Sequence, residues 1–442
     1  MASTYLTKTY SGNGNRNKGT ISVWCKFSDE QASADSTIFG AGNLGNDSDC
    51  TFLSVNGNGF GNVSTRQIIF ALRIGGGTVY NAVSNNLLRD VNAWYHIVVR
   101  WDTTLGTPNC DIYLNGEEVS YSANNWSSVS QNTNTYISST AQPHYIGRGA
   151  TNAMQNNYMD GCMSHLHYCD GYYYDASTFG STDATTGEWK INTSPSVSYG
   201  TNGFWFFKDD NTLTDQSPNS NAFSLGGGTL TKTEDCPSNV FATLNPLVPD
   251  AGSTGLFHGN NQLNVNTANW RSAFSTLGMS SGKFYFESQI QAGGYIHIGA
   301  RGVEQSDGSL AGNNDWIGVT SQGWSYDKTG EVRNNNSSVA SGKATFGNTD
   351  IIGCLLDLDN WTINWTKNGT LINSTAYNIT QNLTYVFGVS GHSTARILTN
   401  FGNGNFSSTT ISSAGTNASN NGIFEYDVPS GFTALSTKGL NL

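Results

Sequence analysis

Few residues of this chain could do chemistry, and their spacing narrows what that chemistry would be. Cleaving a glycosidic bond takes two carboxylates about 5–10 Å apart, which acids at i, i+2 and i+4 of one strand would supply. The nine Glu form no such series. Glu117 and Glu118 are adjacent, so on a strand they point to opposite faces. Asp357 and Asp359 share a face but flank a turn, where structural or solvated roles are expected. His165, His167 and Cys169 alternate, a spacing that zinc accepts. It is equally the spacing of an outward polar face, with Leu166 and Tyr168 turned inward. Asp47 and Asp49 share the loop "GNDSDC" (45–50), which reads either as a calcium site with oxygen ligands or as a solvated turn. No Gly-x-Ser-x-Gly, His-Glu-x-x-His or P-loop pattern is present. The triple glycines at 75–77 and 226–228 read as turns without a following helix, so phosphate cradling has no support. No catalytic residue and no cofactor are expected, apart from calcium as a possible ion, and the chain reads as a non-enzyme.

What remains is binding. "LAGNNDWIGV" (310–319) places Asn313, Asn314, Asp315 and Trp316 at an expected loop-to-strand junction. Amides and a carboxylate beside an indole face suit a neutral sugar, held by hydrogen bonds and stacking. The competing reading makes Trp316 a core residue that opens its strand. Arg333 and Arg301 are the nearest cations in sequence, and cations are few, which is why the expected ligand is neutral.

The elements that must position these residues follow from composition. At 442 residues, the chain is too long for one ordinary domain, and two or three are expected. Apolar residues make up 37%, enough for real cores, while charged residues at 12% are about half the usual share of roughly 25%. Gly, Asn, Ser and Thr fill the difference, and β-branched and aromatic residues outweigh good helix formers. The net charge of −11 argues against nucleic acid and against an anionic membrane surface. No apolar run approaches the roughly 20 residues of a membrane span. The opening "MASTYLTKTYSGNGNRNKG" lacks the apolar core of a signal peptide, so synthesis in a cytosol is expected unless a targeting segment has been removed. Seven scattered Cys make a poor disulfide framework, and most are expected to be reduced.

Strand-like runs follow one another from Thr20: "TISVWCKF" (20–27), "RQIIFALRI" (66–74), "WYHIVVRW" (94–101), "CDIYLNGEEV" (110–119), "PHYIGR" (143–148) and "MSHLHYCDGYYY" (163–174). A second series holds "GKFYFESQI" (282–290), "YIHIGAR" (295–301), "WIGVTS" (316–321), "DIIGCLLDLDNWTINWTKNGTLI" (350–372) and "YVFGVSG" (385–391). Regular strands without helical stretches predict an all-β protein of two tandem antiparallel β-sandwiches. The expected domains are 1–200 and 256–442, with 201–255 an aromatic strand followed by a Pro-containing linker.

Three resemblances add to this reading. "GKFYFESQI", "GWSYDKTGEV" (323–332), "TDIIGCLLDLDNWTINWTKNGTLI" and "YVFGVSG" resemble the SPRY domain over roughly 256–435, which implies a sandwich built for binding. "ISVWCKF", "WYHIVVRWDTT", "CDIYLNGEEV", "YIGR" and "MDGCMSHLHY" resemble a laminin-G-like or concanavalin A-like jelly roll over roughly 1–200, some of whose relatives bind calcium. "FGSTDATTGEW", "FKDDNTLTDQSPNSNAFSL" and "CPSNVFATLNPL" resemble virion structural proteins of tailed phages, particularly from marine bacteria. That last likeness implies a tail fibre, spike or capsid decoration on the virion surface, assembled in the bacterial host cytoplasm. Its implied partners are other virion proteins, further copies of itself in a homo-oligomer, and host or environmental surface glycans, with no nucleic acid and no membrane. The rival readings are a structural decoration or connector without a ligand, a cellular lectin or adhesin, and a glycan hydrolase.

Overall fold

Alternation makes these strands. In Tyr295–Val303, Ile296, Ile298 and Ala300 enter the core, while Tyr295, His297 and Arg301 take the other face. A period of two fits a pleated strand. A computed structural model describes residues 3–27, 36–55, 66–90, 93–208, 212–246, 254–303, 315–406, 409–415 and 419–441. The chain divides into two compact units, Met1–Lys232 and Thr233–Leu442.

In the first unit, the described residues form an eight-stranded sheet in the order Tyr121–Asn124, Thr78–Leu87, Gln67–Ile74, Cys50–Val55, Ser36–Gly42, His144–Ile146, Tyr5–Lys8 and Ser224–Gly227. A six-stranded sheet packs against it: Phe204–Phe206, Gly161–Asp170, Lys18–Phe27, Tyr95–Asp102, Asn109–Leu114 and Glu117–Glu118. Ile21, Val23, Ile97 and Val99 of the second sheet meet Phe39, Leu53 and Phe70 of the first in one core. Trp101 stacks on Phe70 at 5.1 Å between them.

In the second unit, a nine-stranded sheet follows the path Thr254–Phe257, Gln262–Val265, Arg396–Asn400, Lys283–Ala292, Ile351–Asp357, Thr362–Lys367 and Thr370–Leu371, with Tyr377–Asn378 and Thr433–Ala434 paired off that path. Its partner has six strands: Thr267–Phe274, Thr384–Ser393, Tyr295–Val303, Gly323–Asp327, Val332–Asn334 and Ser337–Ala340. Phe286 and Phe387 meet at 4.5 Å across the gap. Among the described residues there is no α-helix, and the protein is all-β. Among the described residues no helix is long and apolar enough to cross a membrane. Cys25, Cys50, Cys110, Cys169, Cys236 and Cys354 form no disulfide.

The run Asp350–Ile372 shows why its first half is so apolar. Ile352, Cys354 and Leu356 enter the main core, while Leu355 packs on the opposite face with Tyr285, Phe424 and Val428. Its strand is therefore buried on both sides, not one. In the second half Ile363 and Trp365 are core residues, and the Trp365 indole Nε1 donates to the Ile298 carbonyl at 2.9 Å. Asn368 and Gly369 turn the chain at φ +48° and +79°.

Three elements differ from the sequence reading. "WIGVTS" is not a strand but a single 3-10 turn at Ile317–Val319, pressed so close to the sheet that a Cβ on Gly318 would lie 2.8 Å from Ser325 Oγ. Gly226 and Gly227 are strand residues rather than turn residues, pairing with Tyr5–Lys8. The stretch 201–255 is shared out: Phe204–Phe206 and Ser224–Gly227 join the first unit, whereas Phe241 and Leu244 form bridges to Ser436 and Ser275 of the second.

Candidate functional site

The outer face of the second unit's six-stranded sheet gathers aromatic rings from three strands and a loop. Register explains the gathering. Tyr295 lies opposite His392, and His297 lies between Ser390 and Asp327. A bulge between Thr267 and Arg271 sets Trp270 beside them. Its ring lies 4.8 Å from His297, 5.2 Å from His392, 6.2 Å from Tyr295 and 6.1 Å from Trp316. Trp316 stacks on His297 at 4.2 Å. Tyr295 is 60% exposed, Trp316 8% and His297 5%. Trp316 and His297 thus form a floor, and Tyr295 is the ring that solvent reaches, beside the partly exposed Trp270 and His392.

The polar groups on this face neutralise one another. Asp327 Oδ1 accepts from the Thr329 N–H at 2.9 Å, the Thr329 hydroxyl at 2.7 Å and the Glu331 N–H at 3.0 Å, while Oδ2 accepts from Arg333 Nε at 2.7 Å. Burial alone would raise the Asp327 pKa, but these donors outweigh it and hold the carboxyl below its ordinary range. Burial pushes the His297 imidazole down to about 3, and its Nδ1 lies 3.0 Å from the Ser325 hydroxyl. It is therefore uncharged at neutral pH. Lys328 Nζ donates to the carbonyls of Gly293 and Gly294. The hollow among Tyr295, His297, Asp327, Lys328 and Thr329 is only about 20 Å³, room for roughly one water. Recognition here would be by an open face, not by enclosure.

The predicted site residues are distributed as follows. Asn313 and Asn314 lie outside the described residues. Asp315 is partly exposed, and its backbone carbonyl accepts from the Ser272 hydroxyl at 2.8 Å. Trp316 and Arg333 do reach the same sheet face, Trp316 almost wholly buried and Arg333 with its side chain 30% exposed. Trp316 is packed under its neighbours, and Arg333 is committed to Asp327 and Glu331. Tyr295, Trp270, His297 and His392 were not singled out from sequence. The available signal was Tyr295 and His297 alternating with Ile296 and Ile298.

The predicted metal candidates are all engaged within the fold. Asp47 Oδ1 accepts from the Ala153 N–H at 2.8 Å, and Asp49 Oδ1 from the Gly75 N–H at 2.9 Å and the Tyr136 hydroxyl at 2.6 Å. Hydrogen bonding from Tyr136 is the main cause holding Asp49 below its usual range. His165, His167 and Cys169 do not form an open polar face. The ladder shifts register between Ser164 and His167, and His165 sits at φ +47°. His167 and Cys169 are buried beneath Phe179, Tyr199 and Trp205, with His167 Nδ1 2.8 Å from the Tyr199 hydroxyl. Among the described residues no three His, Cys, Asp or Glu converge as a metal site.

Glu287 resembles a general acid in one respect: burial raises its pKa to about 7. It is fully buried, however, and accepts from the Tyr285 hydroxyl at 3.0 Å and from the N–H groups of Glu425 and Tyr426 at 2.9 and 3.0 Å. Its role is to pin Glu425 and Tyr426 against the nine-stranded sheet. Asp357 and Asp359 cap their turn, accepting respectively from the Asn360 N–H and the Gly282 N–H, both at 2.9 Å.

Residues 2–171 match the concanavalin A-like lectin/glucanases superfamily, and residues 283–404 match the SPRY domain. The probable ATP-dependent RNA helicase ddx1 of Dictyostelium discoideum is 35% identical over 103 residues, covering 23% of this chain and 12% of that protein. The ATP-dependent RNA helicase Ddx1 of Drosophila melanogaster is 36% identical over 101 residues, covering 23% and 13%. The chain thus spans about an eighth of the length of these curated relatives. Among solved structures, the SPRY domain of human HERC1 is 17% identical, with a TM-score of 0.28, covering 35% of this chain and 96% of that one. By the two family models, residues 2–171 carry a concanavalin A-like domain and residues 283–404 a SPRY domain.

Proposed function

We propose that this chain is a non-enzymatic recognition protein of a virion surface, and that its second sandwich binds neutral surface glycans through the open aromatic face around Tyr295. The observation that carries the binding reading is the Tyr295 ring, 60% exposed on a face whose floor is Trp316 stacked on the uncharged His297. A hydrophobic ring left in water on a charge-balanced face suits the apolar face of a sugar ring, with Ser, Asp and His groups beside it for hydroxyls. The lectin-containing superfamily matched by the first domain supports the same class of ligand. The virion placement rests on the phage-like stretches around Phe179–Trp189 and Cys236–Leu247, and it extends to homo-oligomers in contact with other virion proteins.

An open face buries little of a ligand, so single-site affinity should be near millimolar, about −4 kcal/mol. Many copies on one particle would raise it by roughly 10²–10⁴ through effective concentration. In a glycan array read with multivalent protein, Tyr295→Ala is expected to abolish binding while its melting temperature stays within about 1 °C of wild type, since an exposed side chain contributes under ~0.5 kcal/mol to folding. Unchanged glycan binding by this variant would refute the face. Absence of the protein from purified particles in immunogold microscopy would refute the virion placement.

A further inference from the structure

The outer face of the first unit's eight-stranded sheet carries a different kind of group. Arg148 follows the strand His144–Ile146, and its guanidinium carbon lies 4.5 Å from the ring centre of Tyr5, 5.7 Å from Tyr145 and 5.8 Å from Tyr158. The fold builds this nest deliberately from separate pieces. Leu6 and Ile146 are paired and point into the core, so Tyr5 and Tyr145 point out. Gly226 and Gly227 leave the space in which the Tyr5 ring lies; a Cβ on Gly226 would be 2.2 Å from that ring. An antiparallel bridge from Arg148 to Tyr158 brings in the third ring.

Arg148 Nε donates to the Gln155 carbonyl at 2.7 Å, which fixes the plane of the guanidinium. Its two terminal nitrogens have no acceptor among the described residues, and it forms no ion pair with a described carboxylate. Arg100 and Arg333 differ: Arg100 is held by Asp111 and Asp175, and Arg333 by Asp327 and Glu331. Arg148, Tyr5 and Tyr158 are partly exposed. In a protein of net charge −11, an oriented, carboxylate-free guanidinium ringed by tyrosines is a place for an external anion with a ring attached.

We propose that Arg148 with Tyr5 and Tyr158 forms a second saccharide site, selective for a sugar bearing a carboxylate, such as a uronic acid unit. The planar fork of the guanidinium matches a carboxylate in a bidentate geometry, which an ammonium does not. The flanking tyrosines supply faces for the sugar ring. This site is independent of the Tyr295 face, and it would give one chain both a neutral and an acidic specificity.

The test compares a galacturonate trisaccharide with its carboxyl-reduced counterpart, titrated into the whole chain and followed by NMR or calorimetry. The acidic sugar is expected to bind at millimolar strength and the reduced sugar at least about tenfold more weakly. Arg148→Gln should lose the discrimination, Arg148→Lys should recover it only in part, and Tyr295→Ala should leave it intact. Equal binding of the two sugars by wild-type protein, or binding of neither, overturns the proposal even if an Arg148 variant fails to fold. Loss of the discrimination in Tyr295→Ala also overturns it, because the two faces would then be one site.

Discussion

Trp316 and Tyr295 sit on one sheet face and differ in how much of each water reaches. Trp316 is 8% exposed, stacked on His297 and beside Trp270, so Trp316→Ala should open a cavity and cost roughly 3–5 kcal/mol. A chemical melt of that variant checks it: a midpoint within experimental error of wild type would show the indole to be dispensable to packing, and the face would have to be redrawn. The sequence singled out Trp316 and Arg333, which both reach this sheet face, but could not say which way either was committed. The pairing of Arg333 with Asp327 was not legible because it is set by the hairpin register of Tyr326 with Val332 and of Ser325 with Arg333, which no single strand displays. The rings of Trp270, Tyr295 and His392 come from strands far apart in the chain, so their convergence is a property of register. Alternation of Tyr295 and His297 with two isoleucines was legible, and it marked the face without saying what else would meet there.

At the scale of elements, the strands with strong alternation were readable and the elements with local geometry of their own were not. "TISVWCKF" and "WYHIVVRW" became Lys18–Phe27 and Tyr95–Asp102, whereas "WIGVTS" became a turn because Gly318 lets the backbone collapse onto Ser325. The turn Lys367-Asn368-Gly369 is a case where the sequence was explicit and the structure adds why each residue is needed. Gly369 has φ +79°, and a Cβ there would meet the Tyr426 ring at 2.8 Å, so Gly369→Ala is strained twice and should cost about 1–2 kcal/mol. Asn368, at φ +48°, is a position where glycine would relieve the backbone. Yet its Oδ1 accepts from the Ile351 N–H at 2.8 Å and its Nδ2 donates to Asp350 Oδ1 at 2.7 Å. Asn368→Gly should therefore destabilise, by about 1 kcal/mol, instead of stabilising. Denaturant midpoints of the two variants measure both effects, and a stabilised Asn368→Gly would show that the amide contributes less than the backbone it strains.

For the whole molecule, the buried histidines make the two units respond differently to acid. In the first unit burial pushes His96 and His144 down to about 3 and His167 well below its ordinary value. Each stays neutral in the folded state while the unfolded chain takes up a proton below about pH 6.5. The unfolded state then binds more protons, so stability is fully present above that pH and falls as pH drops toward 3. Each histidine removes about 2 kcal/mol between pH 7 and pH 5. Asp170 works the other way, because burial raises its pKa and its folded form takes up a proton earlier than the unfolded one. Three losses against one gain leave the first unit at least two protons short. In the second unit His297, lowered to about 3, contributes the same kind of loss. Glu287 opposes it: raised to about 7, it protonates in the folded state first, and its contribution to stability grows as pH falls from 7 to 4.5. One loss against one gain leaves that unit nearly level between pH 6.5 and 4.5. Calorimetry of the full chain from pH 7 to pH 5 should thus show one transition moving down steeply, by an amount equivalent to roughly 4–6 kcal/mol, and another that hardly moves. Trp316→Ala identifies the level transition, since it lowers only the unit that contains it. Two transitions falling in parallel, or a steeper fall in the one that Trp316→Ala marks, would show that the histidines of the first unit are solvated in a way their burial in this fold excludes.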